Sequence, residues 1–314
     1  MKKIIAAALL SFSLNSFADN APLWLRFCSI SPDGQTIAFS YKGDLFSVPV
    51  NGGIAKQLTT NPAYDAYPIW SPDGQKIAFA STREGSMDIY LMNKNGGVPK
   101  RLTTNSGSEI PMAFTDNNHV LFSSAIMPTA KSIFFASGTF PQTYEVNIDA
   151  SRPRLYSPIT MCDANVKSNG DILYHDVKGY EDNFRKHHRS PVTRDIWLYS
   201  KGNYTKLTNF DGEDRTPVWG NNTNEYYYLS EEDGTFNVYK RNIDGSGKKQ
   251  LTFHKANPVR FLTVANNGTI CYGYDGEIYT LKDGQQPKKV DITIVTDQID
   301  NDLVRQVRKS GATE

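Results

Sequence analysis

Tyr67-Pro68-Ile69-Trp70 opens a stretch that continues as Ser71-Pro72-Asp73-Gly74, Ile77-Ala78-Phe79-Ala80, Met87-Asp88-Ile89-Tyr90-Leu91-Met92, Asn95-Gly96-Gly97 and Lys100-Arg101-Leu102-Thr103-Thr104. It reads as four short strands joined by three turns. Pro72-Asp73-Gly74 carries turn chemistry: proline presets φ, and Asp and Gly tolerate the conformations that follow. Asn95-Gly96-Gly97 supplies the positive φ of a tight hairpin. A four-stranded sheet of this size cannot bury both of its faces alone, so neighbours of the same kind are required.

The neighbours are in the sequence. Ser31-Pro32-Asp33-Gly34 is followed by Ile37-Ala38-Phe39 and closed by Gln57-Leu58-Thr59-Thr60. Downstream, matching turns fall at Thr115-Asp116-Asn117-Asn118, Lys167-Ser168-Asn169-Gly170, Gly220-Asn221-Asn222-Thr223 and Ala265-Asn266-Asn267-Gly268. Closing strands recur at Arg154-Leu155-Tyr156, Lys206-Leu207-Thr208 and Gln250-Leu251-Thr252. Third strands recur at Asp44–Val48, Asp195–Tyr199, Phe236–Tyr239 and Glu277–Leu281. The third copy is the loosest, at Pro141 to Val146. Six copies predict an all-β chain, a six-bladed β-propeller of four-stranded antiparallel blades over 22–294.

Composition agrees with one domain in 314 residues. The formal charge of +1 gives no global field that would favour nucleic acid or an anionic membrane. Lys2 and Lys3 precede the apolar run Ile4 to Leu14, and Ser16-Phe17-Ala18 offers small residues where a signal peptidase reads. The run is too short to span a bilayer, which needs about 20 residues. Residues 1–18 are therefore expected to be a cleaved signal peptide with Asp19 as the first mature residue, giving a periplasmic or secreted protein that is not integral to the membrane. Cys28, Cys162 and Cys271 lack metal-ligand spacing and read as buried small residues. If the first and last blades meet, Cys28 and Cys271 come near each other.

Both termini of the repeat array count as complete. Blade 6 shows Arg260 to Val264, Thr269 to Tyr274, Glu277 to Leu281 and Lys288 to Ile292, leaving no spare strand. The expectation is a ring closed by side-chain packing rather than by a hydrogen-bonded clasp, with 295–314 as a linker. Two blades carry insertions: Ser124 to Phe140 in blade 3 and Asp176 to Arg194 in blade 4. From Lys178 to Arg194 there are five basic side chains against two acidic ones.

That second insertion holds the candidate binding residues. Arg185, Lys186 and Arg189 suit a peptide carboxylate, because guanidinium presents a fork of donors matched to it. A solvated charged loop is the plainer alternative. His187-His188 is a poor metal pair, since adjacent residues diverge on a strand or a helix. No serine sits in a nucleophile elbow, and His175-Asp176 reads as strand-edge chemistry. The glycine pairs are hairpin turns rather than phosphate loops. Asp33, Asp73 and Asp244 act as local backbone acceptors, with calcium binding the weaker option. No catalytic residue, metal or cofactor is assigned.

The Ser-Pro-Asp-Gly blades with Leu-Thr-Thr endings resemble the WD-like propeller repeats of the TolB family and of several peptidases. Lys178-Gly179-Tyr180-Glu181-Asp182, through Arg185-Lys186-His187-His188, to Thr193-Arg194-Asp195-Ile196-Trp197 narrows this. With Leu25-Arg26-Phe27 and Ile37-Ala38-Phe39-Ser40-Tyr41, it is similar to the first propeller of bacterial tricorn-type serine peptidases, over residues 22 to 314. The resemblance implies a second propeller, a PDZ-like domain and a peptidase core beyond Ser310-Gly311-Ala312-Thr313-Glu314, with this chain a truncated or fragmentary piece. It implies a non-catalytic module for peptide access, product passage or docking to that core. Its partners would then be peptides or the missing domains, and none of the family's catalytic positions has a counterpart here. The alternatives are a free-standing TolB-like periplasmic scaffold, although that family's extra leading domain has no room between Ala18 and Trp24, and the propeller of a prolyl-oligopeptidase-like enzyme.

Overall fold

Ile37, Ala38, Phe39, Ile77, Ala78 and Phe79 have no exposed surface, so each second strand is covered on both faces. That is possible only where sheets stack on sheets. The computed structural model describes residues 24–126, 141–179, 189–221 and 224–295.

Among the described residues, twenty-five strands build six blades. Blade 1 has β1 (Arg26–Ile30), β2 (Thr36–Tyr41), β3 (Asp44–Pro49) and β4 (Gly53–Gln57). Blade 2 has β5 (Asp65–Trp70), β6 (Lys76–Glu84), β7 (Ser86–Asn93) and β8 (Gly96–Arg101). Blade 3 has β9 (Ile110–Asp116), β10 (His119–Ser124), β11 (Gln142–Asn147) and β12 (Arg154–Ser157). Blade 4 has β13 (Cys162–Val166), β14 (Ile172–His175), β15 (Ile196–Ser200) and β16 (Asn203–Lys206). Blade 5 has β17 (Asp214–Trp219), β18 (Glu225–Ser230), β19 (Asn237–Asn242) and β20 (Lys249–Gln250). Blade 6 has β21 (Arg260–Val264), β22 (Ile270–Tyr274), β23 (Glu277–Leu281) and β24 (Lys288–Lys289); β25 (Ile292–Ile294) follows.

Each blade is an antiparallel meander, and the first strands β1, β5, β9, β13, β17 and β21 contact one another in an unbroken circle around the axis. The expected all-β six-bladed propeller is therefore the fold. The loosely matched third copy has its own third strand, β11, paired over its length with β10.

The two repeated motifs are hydrogen-bonding devices. In the first turn Asp33 Oδ1 accepts from Ser31 Oγ (2.5 Å) and from the Gln35 N–H (3.0 Å), while Ser31 Oγ accepts from the Thr36 N–H. Asp73 and Ser71 repeat this with Gln75 and Lys76, and Asp244 accepts from Ser246. These aspartates are local acceptors, as their turn positions imply. Gly74 sits at φ +66°, where a side chain is strained.

The Leu-Thr pairs lie just beyond the fourth strands rather than inside them. Leu58 and Leu102 are buried plugs. Each threonine hydroxyl accepts a third-strand N–H: Leu45 to Thr59 (2.9 Å), Ile89 to Thr103 (2.9 Å), Ile196 to Thr208 (3.0 Å), Val238 to Thr252 (2.8 Å). Burying one leucine or phenylalanine stabilises by roughly 1.5–3 kcal/mol; the threonine fixes where that plug enters.

Ring closure departs from expectation. The run 288–292 does not form one strand of blade 6: only Lys288–Lys289 pair there, with Tyr279 and Thr280. Ile292–Ile294 cross to blade 1 and pair parallel with Gly53–Ala55. Blade 1 thus has five strands, and the ring is clasped by backbone hydrogen bonds, including Gly53 N–H to the Asp291 carbonyl (2.8 Å). Gly52 permits this approach: at φ +89°, a Cβ there would stand 2.4 Å from the Asp291 oxygen. Nearer the axis the seam is bonded again, Ile30 N–H to Thr263 Oγ1 (3.1 Å) and Leu25 N–H to the Gly276 carbonyl (2.9 Å). The first strand β1 pairs only with β2, so the clasp is an outer one.

Candidate functional site

Strand direction gives the disc two unlike faces. The Ser-Pro-Asp-Gly turns and the third-to-fourth-strand hairpins lie on one, here called the turn face. The second-to-third-strand loops and the blade-to-blade connections lie on the other, the mouth face. Both insertions leave from the mouth face, between β10 and β11 and between β14 and β15. Exposed Trp24, Tyr64, Ile159 and Phe253 are on the same side, in the leading segment and the blade connections.

Just inside the mouth, the innermost strands share a backbone irregularity. Five of the six, all but β9, have the same register shift near the start, between Arg26 and Ser29, Ala66 and Ile69, Cys162 and Asn165, Arg215 and Val218, and Arg260 and Thr263. The bulged residues are Phe27 (φ 53°), Tyr67 (55°), Asp163 (48°), Thr216 (49°) and Phe261 (58°), all non-glycine in the left-handed region. Bulges re-aim side chains next to functional sites, and strain of this kind persists only where its surroundings hold it.

These five side chains form a collar. Phe27 meets Tyr67 at 4.1 Å between ring centroids and Phe261 at 4.9 Å, an aromatic arc over blades 6, 1 and 2. On blades 4 and 5, Thr216 Oγ1 donates to Asp163 Oδ2 (2.7 Å). Burial, with Tyr64 and then Asp163 contributing, raises the Tyr67 phenol above its ordinary value. His175 lies behind the polar arc, Nδ1 at 3.6 Å from Asp163 and accepting from the Thr216 N–H. Burial brings it down to about 4, so it is neutral at pH 7, with Nδ1 as acceptor and Nε2 carrying the proton. It closes β14, as its place in the sequence suggests, with its ring buried in the wall. Cys162 beside it is pushed up to about 12 by burial and is no nucleophile at neutral pH.

Beside the aromatic arc a cavity of about 530 Å³ opens on the mouth face, lined among others by Trp24, Arg26, Tyr41, Lys42 and Tyr64. Asp44 on its wall is committed to Thr59 and Gln57. The lining mixes aromatic rings with charged and polar side chains, Ser40 and Asn61 as well as Arg26, Lys42 and Asp44.

Of the residues singled out from sequence, Arg189 is exposed on the blade 4 insertion; Arg185, Lys186 and the pair His187-His188 lie outside the described residues. The described flanks of that insertion are anchored: Lys178 binds Asp195 and the Thr193 carbonyl, and Asp176 accepts from Trp197 Nε1 (3.0 Å). Among the described residues no group of His, Cys, Asp and Glu could hold a metal ion, and no helix is long and apolar enough to cross a membrane. Sequence reasoning missed the collar. One signal was available: Phe27 and Tyr67 both stand four residues before the serine of their turn.

Comparison with known proteins gives a consistent picture. A family model described as the tricorn protease N-terminal beta propeller domain matches residues 22–287. Tricorn protease homolog 1 of Streptomyces coelicolor is 25% identical over 286 residues, which is 89% of this chain and 26% of that protein. The crystal structure of the tricorn protease superposes with a TM-score of 0.73 at 20% identity, covering 88% of this chain and 27% of that one. TolB from Acinetobacter baumannii superposes with a TM-score of 0.60 at 14% identity, covering 82% of this chain and 60% of that one. The chain thus spans about a quarter of the tricorn relatives it matches.

Proposed function

This chain belongs to the tricorn protease N-terminal β-propeller family, and from that premise we propose that it is a non-catalytic propeller module of an exported tricorn-like serine peptidase, serving peptide access, product passage or docking to the peptidase core. The observation that carries this reading is the collar. Five strained side chains from five different blades converge on the axis just inside the face that bears the insertions. A scaffold needing only stability has no use for positive-φ Phe, Tyr, Asp and Thr at the same place in five of its six blades. A threaded peptide gains from it: apolar side chains lie on the aromatic arc, and backbone N–H groups donate to Asp163. The basic cluster Arg185, Lys186 and Arg189 belongs to a connection from the same face and would attract a peptide's carboxyl end. Export follows from the leader reading, with cleavage between Ala18 and Asp19.

Titration of short peptides into the purified chain tests this. Weak binding is expected, lowered about tenfold by Phe27→Ala with Phe261→Ala. Arg185→Ala, Lys186→Ala and Arg189→Ala together should lower it about threefold for free-acid peptides and leave amidated ones unchanged. Failure of every peptide to bind would overturn the passage reading. Equal loss for acid and amide would overturn only the carboxylate role.

A further inference from the structure

The seam between blades 6 and 1 holds two of the three cysteines, and they face each other. Cys28 is on β1, directly after the bulged Phe27; Cys271 is on β22, paired across the sheet with Thr263. Both are buried, at 2% and 0%, in one apolar cluster with Ile30, Phe39, Ala265 and Ile278 from the two blades. Cys28 Sγ lies 3.4 Å from the carbonyl oxygen of Phe261, the neighbour of Leu262 on β21. β1 packs on β22, which brings the two thiols together in that cluster. All three cysteines are free thiols. Cys162, on blade 4, is not part of this cluster.

We propose that Cys28 and Cys271 are a cross-linking site: a disulfide between them staples the first blade to the last beside the axis, as the β25 clasp does at the outer rim. The oxidant class is a disulfide, either oxidised glutathione or a disulfide-bonded oxidoreductase. The thiolate of one cysteine attacks it and displaces one thiol, leaving a mixed disulfide. The second cysteine then attacks the mixed disulfide and displaces the second thiol. Two protein thiols are thereby oxidised, and their two protons end on the two thiols to which the oxidant is reduced. Burial raises the Cys28 thiol well above its ordinary value, so the exchange belongs to the folding chain, before the seam shuts. Once shut, the seam shields the bond from reductant.

The expected stabilisation is large because the closed loop is long. In the chain-entropy account a cross-link restricts the unfolded chain more, the farther apart its ends are in sequence. Cys28 and Cys271 join nearly the whole described propeller into one loop.

The test is refolding of the full chain from denaturant in a glutathione redox buffer and, separately, in excess reductant. After denaturation and alkylation, the oxidised sample should show one free thiol instead of three and a Cys28–Cys271 cross-linked peptide. Its Tm should be higher by roughly 5–10 °C. Cys162→Ser should keep both effects. Cys28→Ala and Cys271→Ala should each abolish both, while their circular dichroism shows that they still fold. Three free thiols after oxidation, a bond involving Cys162, lasting glutathione adducts, or an unchanged Tm with the bond formed would each overturn the proposal.

Discussion

Carboxylates on the two faces of the disc obey opposite rules. On the turn face, Asp33 and Asp73 are exposed, and hydrogen bonds from Ser31 and Ser71 and then from the Gln35 and Gln75 N–H groups hold them below the ordinary carboxylate value. On the mouth face, Glu109 precedes β9 and Asp214 begins β17, and burial pushes each up to about 7. Asp88, beside Glu109, is raised for the same reason. One face uses charge where water and N–H donors solvate it. The other encloses carboxylates among neighbouring acids and hydroxyls, with an arginine set beside two of them, Arg83 on Asp65 (2.7 Å) and Arg101 on Asp88 (2.6 Å). The turn face is therefore tuned for stability, whereas the mouth face bears costs that stability alone does not explain.

The sharpest way to break this contrast is to remove a buried partner on the mouth face. Asp65→Ala leaves Arg83, only 13% exposed, without its ion pair. Stability to urea should fall by about 3 kcal/mol. An effect under about 1 kcal/mol would mean that the mouth face tolerates buried charge as readily as the turn face does.

Next in size is a pH slope. The folded pKa values of Glu109 and Asp214 lie above the unfolded ones, so the folded state keeps protons that the unfolded chain gives up between roughly pH 4 and 7. Their contribution is fully present below the unfolded values and lost as pH rises through about 7. Stability should drop by about 2 kcal/mol between pH 5 and 8, and Glu109→Gln with Asp214→Asn should flatten the curve. A slope unchanged in the double variant would refute the assignment to these groups.

The smallest effect belongs to the turn face. Asp33→Ala removes two short hydrogen bonds and should cost about 1 kcal/mol, independent of pH near neutrality. Its pKa is depressed in the fold, so its contribution is present above the unfolded value near 4 and is lost as pH falls through the folded one. Denaturation at pH 3 and at pH 7 should find wild type and variant closer together at pH 3.

Legibility in the sequence follows the same division. Ser-Pro-Asp-Gly and Leu-Thr are local devices whose bonds close within a few residues or between adjacent strands of one blade, so they recur as motifs and gave away the blade count. Closure was not legible. Lys288–Ile292 reads as one strand, and what splits it is the Asp291 carbonyl meeting the Gly53 N–H from the opposite end of the chain. The collar was hidden for another reason. Its bulges occur at Phe, Tyr, Asp and Thr without a marking glycine, and only the contacts between blades hold them in the left-handed region. Arg189 stood out by charge alone, and charge gives neither the depth nor the direction of a site.

The parallel sense of β25 has a geometric outcome of its own. The outermost strand of blade 1 ascends from the turn face to the mouth face, and Ile292–Ile294 ascend beside it. Polypeptide continuing from Val295 therefore sets out at the perimeter of the disc, level with the insertions and a full blade's width from the axis.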